Sequence, residues 1–176
     1  MLTSTMIESP VGELTLVAAD QGLRALLWPR ELEREMRAAV GARTSDVMTI
    51  APDALRSTMH PVLMQAIREL REYFAGDRQT FDVPLDPVGT PFQQRAWIAL
   101  REIPYGATVS YGEQARRLGD AKMARAVGAA NGRNPISIIV PCHRVIGSTG
   151  KLTGFGGGLG NKDWLLRHES NALFQM

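Results

Sequence analysis

The break between residues 86 and 91 constrains the fold more than any other feature of this sequence. Strand patterns dominate before it, and helix patterns dominate after it. Asp86-Pro87-Val88-Gly89 is rich in turn-forming residues and is predicted to be a linker. Thr90-Pro91-Phe92-Gln93 combines a capping residue, a proline in the first helical position and a glutamine three residues after the cap, which predicts a helix start. We therefore expect an α/β domain over residues 1–85, a linker over 86–90 and a mainly helical domain over 91–176.

The first 85 residues show strand patterns with two helices between them. Three short apolar segments separated by turn residues predict strands within the first 28 residues. Helical spacing begins near residue 32 and again at Pro61. The alternation of Phe81, Val83 and Leu85 predicts a further strand. This half contains no recognisable group of reactive residues, and His60 is interpreted as structural.

Two short helices are predicted after the first helix of the C-terminal half. Ser110-Tyr111-Gly112-Glu113 has the form of a capping box, and the helix that it opens closes at Gly119. Asp120 can cap the next helix, from Ala121 to about Asn131. Two helices joined in this way are typical of the helix-turn-helix motif that many DNA-binding proteins use.

The second of these helices has an inward and an outward face. Met123, Val127 and Ala130 are predicted to pack inward, whereas Lys122 and Arg125 lie on a different face. Its many small residues would let the backbone approach a groove closely. An alanine-rich helix buried inside the protein is the alternative, which explains the alanines but leaves the outward Arg125 unexplained.

Basic charge is concentrated on the segment from residue 116 to 151. The chain has a net charge of +2, which divides into −3 for the first 85 residues and +5 for the remainder. Within the segment only Asp120 opposes seven basic residues, namely Arg116, Arg117, Lys122, Arg125, Arg133, Arg144 and Lys151. Such a concentration is typical of a protein that binds a polyanion. A solvated basic face is the alternative.

The chain has a single cysteine, Cys142. A lone thiol can form neither an intramolecular disulfide nor a multi-cysteine zinc site, so it is either an inert buried residue or a nucleophile. The apolar run 136–140 leads to it, Pro141 ends the run, and His143 follows it. A thiolate beside a histidine suits attack on a carbon electrophile. We expect no metal.

A glycine-rich loop follows the cysteine segment, with five glycines between Gly154 and Gly160. A phosphate-binding loop is the alternative, but the Gly-Lys-Ser/Thr sequence is missing. A loop whose backbone comes close to a ligand beside the cysteine fits better. Asn161 is predicted to cap a last helix that carries Trp164, Leu165, His168 and Glu169.

Pro141-Cys142-His143-Arg144-Val145 resembles the active-site signature of the O6-alkylguanine-DNA alkyltransferases, also called methylated-DNA–protein-cysteine methyltransferases. Ala124-Arg125-Ala126-Val127-Gly128, Asn134-Pro135 and Trp164-Leu165-Leu166 match with the same spacing, so the resemblance extends from about Thr90 to Glu169, and more loosely over the N-terminal half. It implies a ribonuclease-H-like N-terminal domain and a winged-helix-like C-terminal domain. It further implies minor-groove binding of double-stranded DNA containing O6-alkylguanine, base flipping, and a single alkyl transfer to Cys142 without a cofactor.

The resemblance also implies the roles of individual residues. Cys142 would be the nucleophile, His143 its base, directly or through a water, and Glu169 would orient His143 while Asn134 braces the turn. Without the resemblance, Glu169 could equally be a surface carboxylate. Arg125 would fill the space left by the flipped base. The residues expected to contact DNA or the base are Tyr111, Ala124, Arg125, Ala126, Arg133, Val145, Phe155 and Gly156.

Two departures from the family pattern stand out. Phe155 occupies a position where many relatives have tyrosine, and Met123 replaces a common alanine. The N-terminal cysteines that bind zinc in some relatives are absent. The preferred alkyl size, activity on O4-alkylthymine and cooperative binding on DNA stay open.

Two other functions explain part of the sequence. A non-catalytic helix-turn-helix binder would not need Cys142. A Cys-His-Glu hydrolase or acyltransferase would leave the basic segment and Arg125 without a role, and repeated turnover on an ester or amide would distinguish it. The chain has no run of about 18 apolar residues and no signal-peptide pattern. We expect a monomer in the cytoplasm, or in the nucleus of a eukaryote, that does not bind membranes.

Overall fold

The structure, a computed structural model, describes residues 1–30, 32–51, 54 and 60–174. The chain divides into two compact units, Met1–Val88 and Gly89–Met176. Within the described residues, the helices are too short or too polar to cross a bilayer.

The first unit is built on a four-stranded sheet. Its elements in chain order are β1 (Thr3–Ile7), β2 (Leu14–Ala19), β3 (Gly22–Leu27), α1 (Leu32–Val40), β4 (Met48–Thr49) and α2 (Pro61–Ala75). The spatial order is β3-β2-β1-β4, in which β1 pairs antiparallel with β2 and parallel with β4. The first three strands and both helices confirm the α/β pattern predicted for this half.

Helix α2 shows why its limits are readable from sequence. The imidazole Nδ1 of His60 accepts the backbone N–H of Leu63 at 3.4 Å, and Pro61 occupies the first helical position. Gly76 ends the helix with a φ of 85°, a left-handed conformation that glycine adopts without strain. His60 therefore acts as a helix cap.

The strand predicted over residues 81–85 does not form. Leu85 makes only an isolated bridge with Leu23. The backbone N–H groups of Asp82 and Val83 instead donate to the buried carboxylate of Glu69, at 2.9 and 3.1 Å. Pro84 has no N–H to offer a neighbouring strand. The prediction was wrong because the backbone donors of this segment are satisfied by a side chain instead of a sheet.

The second unit is mainly helical. Its elements are α3 (Pro91–Arg101), β5 (Val109–Ser110), α4 (Tyr111–Arg117), α5 (Ala124–Gly132), β6 (Val145–Ile146) and α6 (Leu159–Phe174), and β5 pairs parallel with β6. The capping box of α3 is present, since Thr90 accepts the N–H of Gln93 while the Gln93 side chain accepts the N–H of Thr90. The indole of Trp97 donates to the Ala130 carbonyl at 2.8 Å and so joins α3 to α5.

Helix α5 begins later than predicted. Residues Ala121–Met123 form a 3₁₀ turn, and the α-helix starts only at Ala124. Asp120 still acts as a cap, because its carboxylate accepts the N–H of Lys122 at 2.8 Å. Helix α6 begins at Leu159, so Asn161 lies inside it and was wrongly predicted as its cap.

The start of α4 follows the prediction only in part. The Ser110 hydroxyl accepts the N–H of Glu113 at 3.1 Å, as in a capping box. The carboxylate of Glu113, however, forms ion pairs with Arg116 and Arg117 in the next turn of the helix. Two arginines of the basic segment are thereby partly neutralised.

Candidate functional site

The segment before the cysteine is a tight turn instead of a strand. The Asn134 side chain accepts the N–H of Ile136 at 3.0 Å and donates to the Val140 carbonyl at 2.8 Å, which joins the two ends of the turn. Ile138 has a φ of 75° although it is β-branched and fully buried. A non-glycine residue in this conformation costs about 1–3 kcal/mol, so packing around it must hold the turn in place.

Cys142 opens a 3₁₀ turn, Cys142–Arg144, and is 8% exposed. Burial raises the pKa of its thiol, whereas the Asn134 side chain and the positive charge of Lys162 act in the opposite direction. Burial is the strongest of these effects, so the surroundings on balance favour the protonated thiol. Nucleophilic chemistry at this sulfur therefore needs a proton acceptor nearby.

His143 and Glu169 form a fully buried pair, with the imidazole Nε2 2.7 Å from a Glu169 carboxylate oxygen. Burial lowers the pKa of His143 despite this partner. Burial alone would raise the pKa of Glu169, but the hydrogen bonds and charges of His143 and Arg144 outweigh it and bring the pKa to about 2. The carboxylate is therefore ionised and holds the Nε2 proton of a neutral imidazole.

The second ring nitrogen of His143 is then a proton acceptor. Its Nδ1 is buried and has no hydrogen-bond partner among the described residues. A buried polar atom without a partner is uncommon, and at a functional site it indicates a place for substrate, water or a transferred proton. His143 directly follows Cys142 in the 3₁₀ turn, so a proton acceptor lies one residue along the chain from the thiol.

Arg144 is buried, although its place in the basic segment predicts that it faces a polyanion. Its Nε and Nη2 donate to the two oxygens of Glu169, at 2.9 and 3.0 Å, and its Nη1 donates to the Ile103 carbonyl at 2.7 Å. The backbone N–H of Gly106 also donates to Glu169, at 3.3 Å. The guanidinium is thus part of the interior, and its charge is opposed by the same carboxylate that holds His143.

Lys162 is a second buried cation, and it was not predicted from the sequence. Its ammonium donates to the carbonyls of Val145 and Thr153, at 2.6 and 2.8 Å. It also lies 6.0 Å from the ring centroid of Tyr111. Burial lowers its pKa, and the nearby Cys142 acts against that shift. Lys162 and Glu169 are seven residues apart on α6, which places both on one face of the helix. This spacing is the sequence pattern that could have predicted Lys162 as a residue of the site.

The glycine-rich loop lies beside the base and Tyr111. The Tyr111 hydroxyl donates to the Thr153 carbonyl at 3.1 Å and accepts from the Thr153 hydroxyl at 3.3 Å. The ring of Phe155 meets the imidazole of His143 edge-on, with 6.5 Å between the centroids. Val145, after the 3₁₀ turn, is fully buried, and Gly156 is exposed in the loop. Phe155 therefore lies against His143, and Tyr111 is joined through Thr153 to the segment that leads into the loop.

Helix α5 presents the outward face that its sequence predicted. Val127 and Ala130 are buried, whereas Arg125 and Ala126 are exposed, as is Arg133 just after the helix, and Ala124 is half-buried. Exposed cations therefore stand on a helix whose C-terminal end leads directly into the turn braced by Asn134. Among the described residues there is no group of three or more His, Cys, Asp or Glu side chains that could hold a metal ion.

Comparisons with known proteins agree with this geometry. Residues 2–87 match the family model of the ribonuclease-like domain of 6-O-methylguanine DNA methyltransferase, and residues 91–171 match that of its DNA binding domain. A methylated-DNA–protein-cysteine methyltransferase from Methanosarcina acetivorans is 44% identical, over 94% of this chain and 97% of the relative. One from Mycobacterium tuberculosis is 47% identical, over 97% of this chain and 94% of the relative. The structure of Mycobacterium tuberculosis OGT in complex with DNA is similar with a TM-score of 0.81 and 44% identity, covering 97% of this chain and 94% of that chain.

Proposed function

This chain belongs to the 6-O-methylguanine DNA methyltransferase family, and from that premise we propose that Cys142 takes up the alkyl group from O6-alkylguanine in double-stranded DNA. The family's activity is DNA repair by a methylated-DNA–protein-cysteine methyltransferase. Residues 91–176 would carry both DNA binding and transfer.

One observation carries the proposal: a buried histidine whose Nδ1 has no hydrogen-bond partner within the described part of the chain directly follows the only cysteine. In the reaction, the thiol proton of Cys142 passes to His143, directly or through one water. The thiolate then attacks the alkyl carbon, so that an S–C bond forms while the C–O6 bond breaks. The bonding electron pair leaves on the guanine O6, and the Tyr111 hydroxyl turns from the Thr153 carbonyl to donate a hydrogen bond toward the departing base.

Three residues support this step without bonding to the alkyl group. Glu169 keeps the Nε2 proton on His143, and the charge of the resulting imidazolium is stabilised by this carboxylate. Asn134 holds the turn that presents the thiol. The positive charge of Lys162 favours the thiolate. The product is a thioether, which has no good leaving group, so each protein molecule acts once.

Helix α5 would bring the DNA to this site. Extrusion of a base costs a few kcal/mol, and a planar cation that fills the vacated space offsets part of that cost. Arg125 is exposed at the start of α5, beside the small residues Ala124 and Ala126 that permit close approach. Arg133 would contact the phosphate backbone, and Val145, Phe155 and Gly156 would contact the flipped base. We expect a monomer that works wherever the cell keeps its DNA, which is the cytoplasm in bacteria and archaea.

The direct test is to incubate the protein with duplex DNA that carries radiolabelled O6-methylguanine and to locate the label by peptide mapping. The expected result is one equivalent of label on the peptide containing Cys142. Cys142→Ser is the control, which should take up no label yet bind DNA nearly as well, because exposed cations hold the phosphates. Sustained turnover, or label on another residue, would contradict the proposal.

A further inference from the structure

We propose that Thr153 is a positioning residue for Tyr111. Its hydroxyl stays hydrogen-bonded to the Tyr111 oxygen while the Tyr111 proton turns from the Thr153 carbonyl to the departing base. The inference deepens the proposed function and rests on it, because Tyr111 is the hydrogen-bond donor toward the base in that reaction. Thr153 bonds to neither the base nor the alkyl group, and it acts only through Tyr111.

Tyr111 and Thr153 are joined by two hydrogen bonds of opposite direction. The Tyr111 hydroxyl donates to the Thr153 carbonyl at 3.1 Å, and the Thr153 hydroxyl donates to the Tyr111 oxygen at 3.3 Å. Tyr111 is the first residue of α4, whereas Thr153 lies 42 residues later, directly before the glycine-rich loop. A single residue at the entrance to this loop is therefore both acceptor and donor for the same phenol.

The ring of Tyr111 is held by packing against two helices. A Cβ atom added at Gly128 of α5 would lie 3.6 and 3.7 Å from two of the ring carbons, so the ring is in contact with this helix. The ammonium of Lys162, on α6, lies 6.0 Å from the ring centroid. A hydroxyl hydrogen turns about its own C–O bond. The Tyr111 proton can therefore change its acceptor while the ring stays in place.

The Thr153 carbonyl keeps a partner when the Tyr111 proton leaves it. Lys162 donates to this carbonyl at 2.8 Å and to the Val145 carbonyl at 2.6 Å. The main cost of breaking a hydrogen bond inside a protein comes from a group that is left without any partner. Because the ammonium of Lys162 remains on the Thr153 carbonyl, the turn of the Tyr111 proton avoids most of this cost.

After the turn, the hydrogen bonds form a chain that runs from the Thr153 hydroxyl to the Tyr111 hydroxyl and on to the base. Hydrogen bonds in such a chain polarise one another, so donation from Thr153 makes the Tyr111 hydroxyl a stronger donor. The gain is largest while negative charge develops on the departing base. Thr153 should therefore affect the rate of transfer more than the binding of DNA.

The test is single-turnover transfer from duplex DNA containing O6-methylguanine, measured over a range of protein concentrations. Thr153→Val removes the hydroxyl but keeps the carbonyl and the shape of the side chain, and the exposed position has room for valine. The maximum rate constant should fall by about threefold to tenfold, as expected for one hydrogen bond, while the half-saturating concentration stays within about twofold. Thr153→Ser should restore the wild-type rate constant to within about twofold. Thr108→Val removes another exposed hydroxyl of the second unit and is the matched control.

A double-mutant cycle separates this role from a purely structural one. In a Tyr111→Phe background, Thr153→Val should cause no further loss, because the phenol oxygen that the hydroxyl holds is gone. The reaction of Cys142 with iodoacetamide needs no donor toward a base, so Thr153→Val should leave its rate unchanged. Losses that are additive with Tyr111→Phe, or an equal loss of reaction with iodoacetamide, would overturn the inference.

Two further results decide between failure of the inference and failure of the proposed function. If Cys142 takes up label from the DNA but the Thr153→Val protein is as fast as wild type, or the Thr153→Ser protein is as slow as Thr153→Val, the inference alone is overturned. If wild-type Cys142 takes up no label, the proposed function is contradicted and the inference fails with it.

Discussion

The salt dependence of DNA binding offers a quantitative test of which basic residues face the duplex. Seven cations lie between residues 116 and 151, but Arg144 is buried against Glu169, and Arg116 and Arg117 are paired with Glu113. Four exposed cations remain, for which no ion pair is found within the described parts of the chain, and these are Lys122, Arg125, Arg133 and Lys151.

The expected slope follows from these numbers. Counterion release contributes about −0.9 to the slope of log K against log salt for each neutralised phosphate, so four cations give about −3.6 and seven would give about −6.3. Between 50 and 200 mM salt, the affinity should therefore fall by about 150-fold, against about 6,000-fold for seven cations.

The assay is fluorescence anisotropy of a labelled undamaged duplex, with Cys142→Ser protein so that no transfer occurs. Glu113→Gln releases two arginines on α4 and should steepen the slope, by as much as about 1.8. Arg144→Lys serves as a control that should leave the slope unchanged. A wild-type slope near −6, or a slope that does not respond to Glu113→Gln, would refute the assignment of the exposed cations.

Four further outcomes can be measured. Arg125→Ala should slow repair of duplex DNA far more than reaction with free O6-benzylguanine, which needs no flipping; equal losses would give Arg125 a role in the fold instead. His143→Ala and Glu169→Gln should each slow transfer, and the double variant should be little slower than the slower single one, because coupled residues are not additive; strictly additive losses would argue against coupling. The folded-state pKa of Glu169, about 2, lies below its ordinary value of 4.5. The ionised carboxylate therefore contributes about 3 kcal/mol to the free energy of unfolding above pH 4.5, and this contribution is lost as pH falls toward 2. Acid titration of wild type and Glu169→Gln tests this, and identical acid profiles would contradict it. Methylation of Cys142, which is 8% exposed, should lower the melting temperature and benzylation should lower it further, since overpacking typically costs about 1–3 kcal/mol; unchanged or rising values would indicate a loosely packed site.

Sequence patterns predicted helices and strands correctly where residues nearby in sequence satisfy the backbone hydrogen bonds. The capping box at Thr90, the proline at the start of α2 and the outward Arg125 depend on neighbours in sequence, and the structure contains all three. The strand prediction for the segment ending at Leu85 failed because the N–H groups of Asp82 and Val83 bond to Glu69, 13 and 14 residues away, and periodicity carries no information about such a partner.

Charge was the least predictable property of the site. A count of basic residues weights Arg144 and Arg125 equally, although one is buried against Glu169 and the other is exposed. Lys162 was missed because lysines are rarely fully buried, so its type points to the surface. The contact between His143 and Glu169 was expected only through family resemblance, since 26 residues separate them.

Cys142 is a single thiol enclosed by a turn, so its labelling reports how often the second unit opens around it. Any fluctuation that loosens the second unit enough to free Cys142 exposes the only thiol that a maleimide can label, and no other cysteine contributes background. The rate of labelling in native buffer then follows the population of open molecules when closing is fast. Reactive electrophiles in a cell reach the same sulfur through the same opening. The lifetime of the protein with an unmodified Cys142 is therefore set by how often this turn opens.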